Sequence, residues 1–212
     1  MLLDTTLYLV TDSSYHEECR FLEIIDEACN GGVTLLQLRE KNITGREFLN
    51  LAFKVKNIAD KHNVPLIIDD RIDIALACNA AGVHVGQSDI PVSYARKMLG
   101  ANKIVGVTAK TVSQAVEAYE QGADYLGTGA IFPTTTKVVT VITDVGTLND
   151  ICKAVPIPVV AIGGLNYDNM DILKNNPISG VAVVTAIMKA DNPKYAAKKI
   201  KEKYLSFKGN QK

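Results

Sequence analysis

The chain has 212 residues, with 23 Lys and Arg balanced by 23 Asp and Glu, and 47% hydrophobic side chains. That length allows one well-buried core and lies toward the short end of the range for a closed barrel of eight parallel strands. A formal net charge of zero provides no overall basic field for nucleic acid, so any anion must be held by a local site. The N-terminus, MLLDTTLYLV, has no basic leader and carries Asp4. No apolar run is long enough to span a bilayer. The cysteines Cys19, Cys29, Cys78 and Cys152 are scattered, without CxxC spacing. The expected state is reduced, mostly buried thiols in a cytoplasmic protein with neither membrane nor nucleic-acid partner.

Short β-rich runs alternate with longer helical patterns. Leu7–Thr11 reads as a strand, and 16–30 has the helical apolar period and ends at Gly31-Gly32. Residues 34–38 form a second strand. Residues 45–62 form an amphipathic helix, with Thr44 and Glu47 placed as a capping box. Strands follow at 65–68, 83–85, 104–107, 124–127, 158–162 and 180–183. Helices are expected at 72–80, 93–99, 112–121, 144–154 (capped by Asp144), 167–174 and 193–206. The strand runs are continuously apolar, as when both faces are buried. About eight β–α units predict a single-domain (β/α)8 TIM barrel over 1–212, with about 207–212 as a frayed tail. An open doubly wound sheet is the alternative, weakened because no GxGxxG follows the first strand.

In such a barrel the chemistry gathers at the C-terminal strand ends. After the second strand, alternation puts Gln37, Arg39 and Lys41 on one side and Leu38 and Glu40 on the other. An amide beside two cations suits a diphosphate, although an exposed charged strand end would look the same. Asp69 and Asp70 follow the third strand, and Asp89 follows the fourth. These carboxylates suit one hard cation such as Mg²⁺, or are respectively a helix cap and a turn residue. Thr108 follows the fifth strand, and Thr111 is placed as a helix cap that leaves Lys110 uncredited. The stretch ADYLGTGAIFPTTTK at 123–137 runs from a buried strand into a loop. Its Gly127 and Gly129 allow close backbone approach, and Thr134, Thr135, Thr136 and Lys137 offer hydroxyls and a cation. Gly163-Gly164 follow the seventh strand, and Val184-Thr185 the eighth. Their N–H groups suit a phosphate. Two anion sites result, one metal-assisted and one metal-free. His84 reads as a core or supporting residue, and His16 and His62 as surface residues. No Ser/His/Asp or Cys/His constellation points to a protein nucleophile.

The segments QLREK at 37–41, DDRIDIAL at 69–76, GVHVGQSDIP at 82–91, ADYLGTGAIFPTTTK at 123–137, PVVAIGGL at 158–165 and GVAVVTAI at 180–187 closely resemble the thiamine-phosphate synthase family. They fall in the family's order and cover nearly the whole chain. The resemblance implies a TIM barrel that joins an aminomethylpyrimidine diphosphate to a thiazole phosphate and releases diphosphate. It implies that Gln37, Leu38, Arg39, Glu40 and Lys41 hold the pyrimidine diphosphate, with Asp69 and Thr108 beside it. Asp70 and Asp89 would bind one Mg²⁺. Thr134, Thr135, Thr136 and Lys137 would contact both substrates, and Gly164, Val184 and Thr185 the thiazole phosphate. Arg39, Lys41 and Lys137 would stabilise the leaving group of a dissociative reaction. Whether the chain forms a homo-oligomer stays open.

The chain departs from the family's usual pattern at four places. Asp69 stands for the usual Asn, Thr108 for Ser, and Ala130 for Pro, implying a looser turn. VVTVIT after Lys137 replaces a more polar loop. Two competing functions remain: a thiazole tautomerase, which would not need Arg39, Lys41, Asp70 and Asp89, and a non-catalytic thiamine-phosphate binding protein.

Overall fold

The computed structural model describes residues 3–134 and 142–209. Eight short strands close into one parallel barrel in chain order: β1 Leu7–Val10, β2 Leu35–Leu38, β3 Leu66–Asp69, β4 Gly82–Val85, β5 Ile104–Thr108, β6 Tyr125–Thr128, β7 Val159–Ile162 and β8 Gly180–Val183. Closure is made by β1 against β8, with Leu7 opposite Val181 and Leu9 opposite Val183. Below that pair, Thr5 Oγ1 donates to the Ser179 carbonyl at 3.2 Å.

The helices are α1 Glu18–Asn30, α2 Gly45–Lys61, α3 Ile72–Ala77, α4 Val92–Leu99, α5 Val112–Glu120, α6 Val145–Ala154, α7 Thr185–Met188 and α8 Pro193–Gly209. Local signals set several of their ends. The Thr44 hydroxyl accepts from Glu47 N–H while the Glu47 carboxylate accepts from Thr44 N–H, the expected capping box of α2. Asp144 and Thr111 cap α6 and α5.

Three expectations change. Residues 167–174 do not form an α-helix; a 3-10 turn, Met170–Leu173, buries Met170 and Leu173 instead. The short α7 directly after β8 carries too little apolar period to be seen in sequence. The last helix, expected to end at 206, is assigned through Gly209, and Phe207 is 4% exposed.

Alternation along the strands separates two apolar regions. Leu7, Leu9, Leu36, Leu38, Leu66, Ile68, Val83, Val85, Leu126 and Val181 point outward, into the layer between barrel and helices. Tyr8, Val10, Leu35, Ile67, Tyr125, Val160 and Ala182 fill the barrel itself. The two tyrosines need room, and Gly106 on β5 provides it: a Cβ there would lie 2.1 Å from Tyr125 Cζ. Gly106→Ala is therefore expected to destabilise the protein by about 1–3 kcal/mol through overpacking. Urea unfolding would show this as a lower midpoint with an unchanged slope. A wild-type midpoint would mean that Tyr125 can move aside.

All four cysteines are free, and Cys29 and Cys78 are buried, as expected. Burial pushes the Cys29 thiol up to about 12. His62 is less exposed than a surface residue, because Nε2 meets Asp26 Oδ1 at 2.9 Å. His16 is also partly buried, with Nε2 2.6 Å from the Met188 carbonyl oxygen. Among the described residues no helix is long and apolar enough to cross a membrane.

Candidate active site

A cavity of about 640 Å³ opens at the C-terminal ends of the strands. Its basic and acidic side chains come from neighbouring strands. Gln37, Arg39 and Lys41 from the end of β2 all line it, as alternation predicts, and Leu38 and Glu40 do not. Leu38 is fully buried in the outer layer. The Glu40 carboxylate accepts from Ser13 Oγ at 2.7 Å, and burial holds its pKa above the ordinary value.

Asp69 and Asp70 both line the cavity, although neighbouring strand residues should point to opposite faces. The backbone resolves this. Asp70 has φ 57°, a left-handed conformation that aspartate tolerates better than most residues. Its N–H donates to the His84 carbonyl at 2.8 Å, and Arg71 N–H donates to the Asp69 carbonyl at 2.6 Å. Neither carboxylate caps α3, whose cap position is Arg71 with no side-chain bond.

Lys41 Nζ sits between the two carboxylates, 2.9 Å from Asp69 Oδ2 and paired also with Asp70 Oδ2. Arg39 Nε lies 3.8 Å from Asp69 Oδ2. Burial raises the Asp69 pKa, against the attraction of Lys41 and Arg39. Lys41 is pulled down by burial, but its two carboxylate partners outweigh that and raise it overall. Asp89 also faces the cavity, and its Oδ2 accepts from Gly86 N–H at 2.7 Å. The turn role and the cavity-lining role therefore coexist in one side chain.

The opposite wall is made by the ends of β6, β7 and β8. Thr134, Gly163, Gly164, Val184 and Thr185 line it, together with Gly127 and Gly129. Gly163 and Gly164 have φ 103° and 64°, conformations that favour glycine. A Cβ at Gly129 would lie 1.9 Å from the Ile162 carbonyl oxygen, so strand packing also requires a glycine there. No α-helix follows Gly164. The helix that starts beside this wall is α7, which begins at Thr185.

Two parts of the site were missed in sequence. Lys110 lines the cavity and shares the inward parity of Thr108, the signal that would have identified it. Tyr8 and His84 line its floor, where a tyrosine on β1 and a histidine on β4 read as ordinary core. Thr135, Thr136, Lys137 and most of the VVTVIT segment lie outside the described residues. Among the described residues no group of three or more His, Cys, Asp or Glu side chains is arranged to hold a metal ion.

A family model described as thiamine monophosphate synthase matches residues 7–187. The chain belongs to the thiamine monophosphate synthase family. It is 56% identical over 186 residues to thiamine-phosphate synthase 2 of Streptococcus pneumoniae, covering 88% of this chain and 89% of that one. It is 51% identical over 202 residues to thiamine-phosphate synthase of Methanobrevibacter smithii, covering 95% and 96%. A solved structure of thiamine phosphate pyrophosphorylase from Pyrococcus furiosus superposes with a TM-score of 0.88 at 33% identity, covering 97% of this chain and 98% of that one.

Against the family pattern, Thr108 keeps a hydroxyl on the cavity wall. Ala130 does not loosen its turn. It is buried, its carbonyl accepts from Thr143 N–H at 2.8 Å, and Ile131 and Phe132 N–H groups donate to the Ile162 and Gly163 carbonyls. The β6 and β7 loops are thereby tied together.

Proposed function

We propose that this chain makes thiamine phosphate by dissociative transfer of the aminomethylpyrimidine methylene group from its diphosphate to the thiazole phosphate, assisted by one Mg²⁺. The observation that carries the reading is the division of one cavity into two walls. One bears Arg39, Lys41, Asp70 and Asp89, and the other Thr134, Gly164, Val184 and Thr185. A tautomerase acting on the thiazole phosphate alone would have no use for the first wall.

The donor set fits a divalent cation. Mg²⁺ takes one or two protein carboxylates and completes its shell with water and substrate phosphate, so no larger cluster is needed. A cation already stands among these carboxylates, the Lys41 ammonium between Asp69 and Asp70. Asp70 and Asp89 would hold the ion, which when bound supplies charge neutralisation at the diphosphate.

Lys41 and Arg39 bind the leaving diphosphate by charge-assisted hydrogen bonds, with Lys41 turning from the aspartates toward it. Lys137, outside the described residues, would add a further cation, as the family resemblance implies. Gly164, Val184 and Thr185 anchor the thiazole phosphate so that the ring nitrogen is close when the pyrimidine methylene cation forms. No protein nucleophile is required. Localisation in the cytoplasm and possible assembly with further copies belong to this reading only as compatible expectations.

The test is formation of thiamine phosphate from the two substrates with Mg²⁺, wild type beside Asp69→Asn. Product from the wild type is expected. Asp69→Asn should lower KM for the pyrimidine diphosphate, because it removes a buried negative charge beside the Lys41 and Arg39 cations. No product from either protein would overturn the synthase reading.

A further inference from the structure

Five polar groups form one continuous chain across the barrel floor. Gln37 Nε2 donates to the Tyr8 hydroxyl at 2.6 Å. The Tyr8 and Tyr125 hydroxyls are 2.7 Å apart. The Tyr125 hydroxyl is 3.0 Å from His84 Nδ1, and His84 Nε2 is 3.0 Å from Thr108 Oγ1. Both tyrosines are buried, and Gln37 is 4% exposed, so a mismatched hydrogen bond here has no bulk water to relieve it.

The geometry points to these residues acting as one orienting relay that makes the floor select an aminopyrimidine over its oxo analogue. Each hydroxyl has a single proton. With Tyr8 accepting from Gln37, its proton goes to Tyr125, and the Tyr125 proton goes to His84 Nδ1. The imidazole is then neutral with its proton on Nε2, donating to Thr108, whose own proton turns elsewhere. Gln37 consequently offers its carbonyl oxygen to the cavity, an acceptor suited to an exocyclic amino group. Reversing Gln37 reverses the other members, because a mixed arrangement would turn a buried tyrosine proton out of the chain, where no other acceptor for it stands among the described residues. Tyr8, Tyr125 and His84 are thus positioning residues, acting through Gln37 and Thr108.

This inference rests on the proposed substrate class, and its test separates the two. Nitrogen-15 correlation spectra of the ligand-free protein should show neutral His84 with its proton on Nε2. A proton on Nδ1, or on both nitrogens at neutral pH, would overturn the relay whatever the enzyme does. Next, kcat/KM is compared for the aminopyrimidine diphosphate and its oxo analogue. Tyr8→Phe and Tyr125→Phe keep the rings and remove one hydroxyl each. They should reduce the preference for the amino compound by about tenfold or more, chiefly through KM, in variants that stay folded with a lowered melting temperature. An unchanged preference in a folded variant would overturn the proposal. Failure of the wild type to make product would instead overturn the synthase reading, and the His84 tautomer would still decide the relay.

Discussion

Removing divalent metal with a chelator is expected to abolish thiamine phosphate formation, and added Mg²⁺ to restore it. The reason is local charge. Asp69, Asp70 and Asp89 face the cavity together with Arg39, Lys41 and Lys110. Among the described residues lining it, three carboxylates balance three cations before substrate enters. A diphosphate adds several negative charges beside those carboxylates, and in a partly dry cleft unlike charges must be matched closely. Carboxylates facing a bound phosphate would repel it without a metal between them. Initial rates over a chelator titration would measure the effect. Activity undiminished without metal would remove Asp70 and Asp89 from a metal-binding role and leave the cations alone to carry the leaving group.

Lys41→Ala should lower the single-turnover rate by about 10²–10³-fold, as for loss of one preorganised group that stabilises developing charge. Lys41 is held, half-exposed, by Asp69 and Asp70 at the edge of the cavity, so it is stationed there before it turns toward the diphosphate. Its removal also leaves Asp70 without the Lys41 counter-charge and Asp69 with Arg39 alone. Lys41→Arg should recover part of the rate by restoring the charge with a different shape. Rapid-quench measurement with enzyme in excess isolates this step from product release. A near-wild-type rate for Lys41→Ala would assign leaving-group stabilisation to Arg39 and Lys137 instead.

The barrel was legible in the order of its elements because each strand is a short apolar run and each long helix has its own period and cap. Strand ends shifted by about a residue, as with Asp69 and Thr108, which belong to β3 and β5. Alternation correctly placed Gln37, Arg39 and Lys41 together and turned Leu38 and Glu40 away. It failed at Asp69 and Asp70, whose shared direction depends on one left-handed residue and the His84 carbonyl that receives its N–H.

By itself, then, the sequence determined the eight-unit alternation and the family resemblance. Each of these follows from composition, period or contiguous motifs. Tertiary structure alone decided which polar residues meet. It brought Tyr8, Gln37, His84, Thr108 and Tyr125 from five different strands into one hydrogen-bonded line. It also set Lys41 between two aspartates and packed Gly129 against the Ile162 carbonyl. The physical reason is that strand register and barrel closure determine distances between residues far apart in the chain, and no local propensity encodes them.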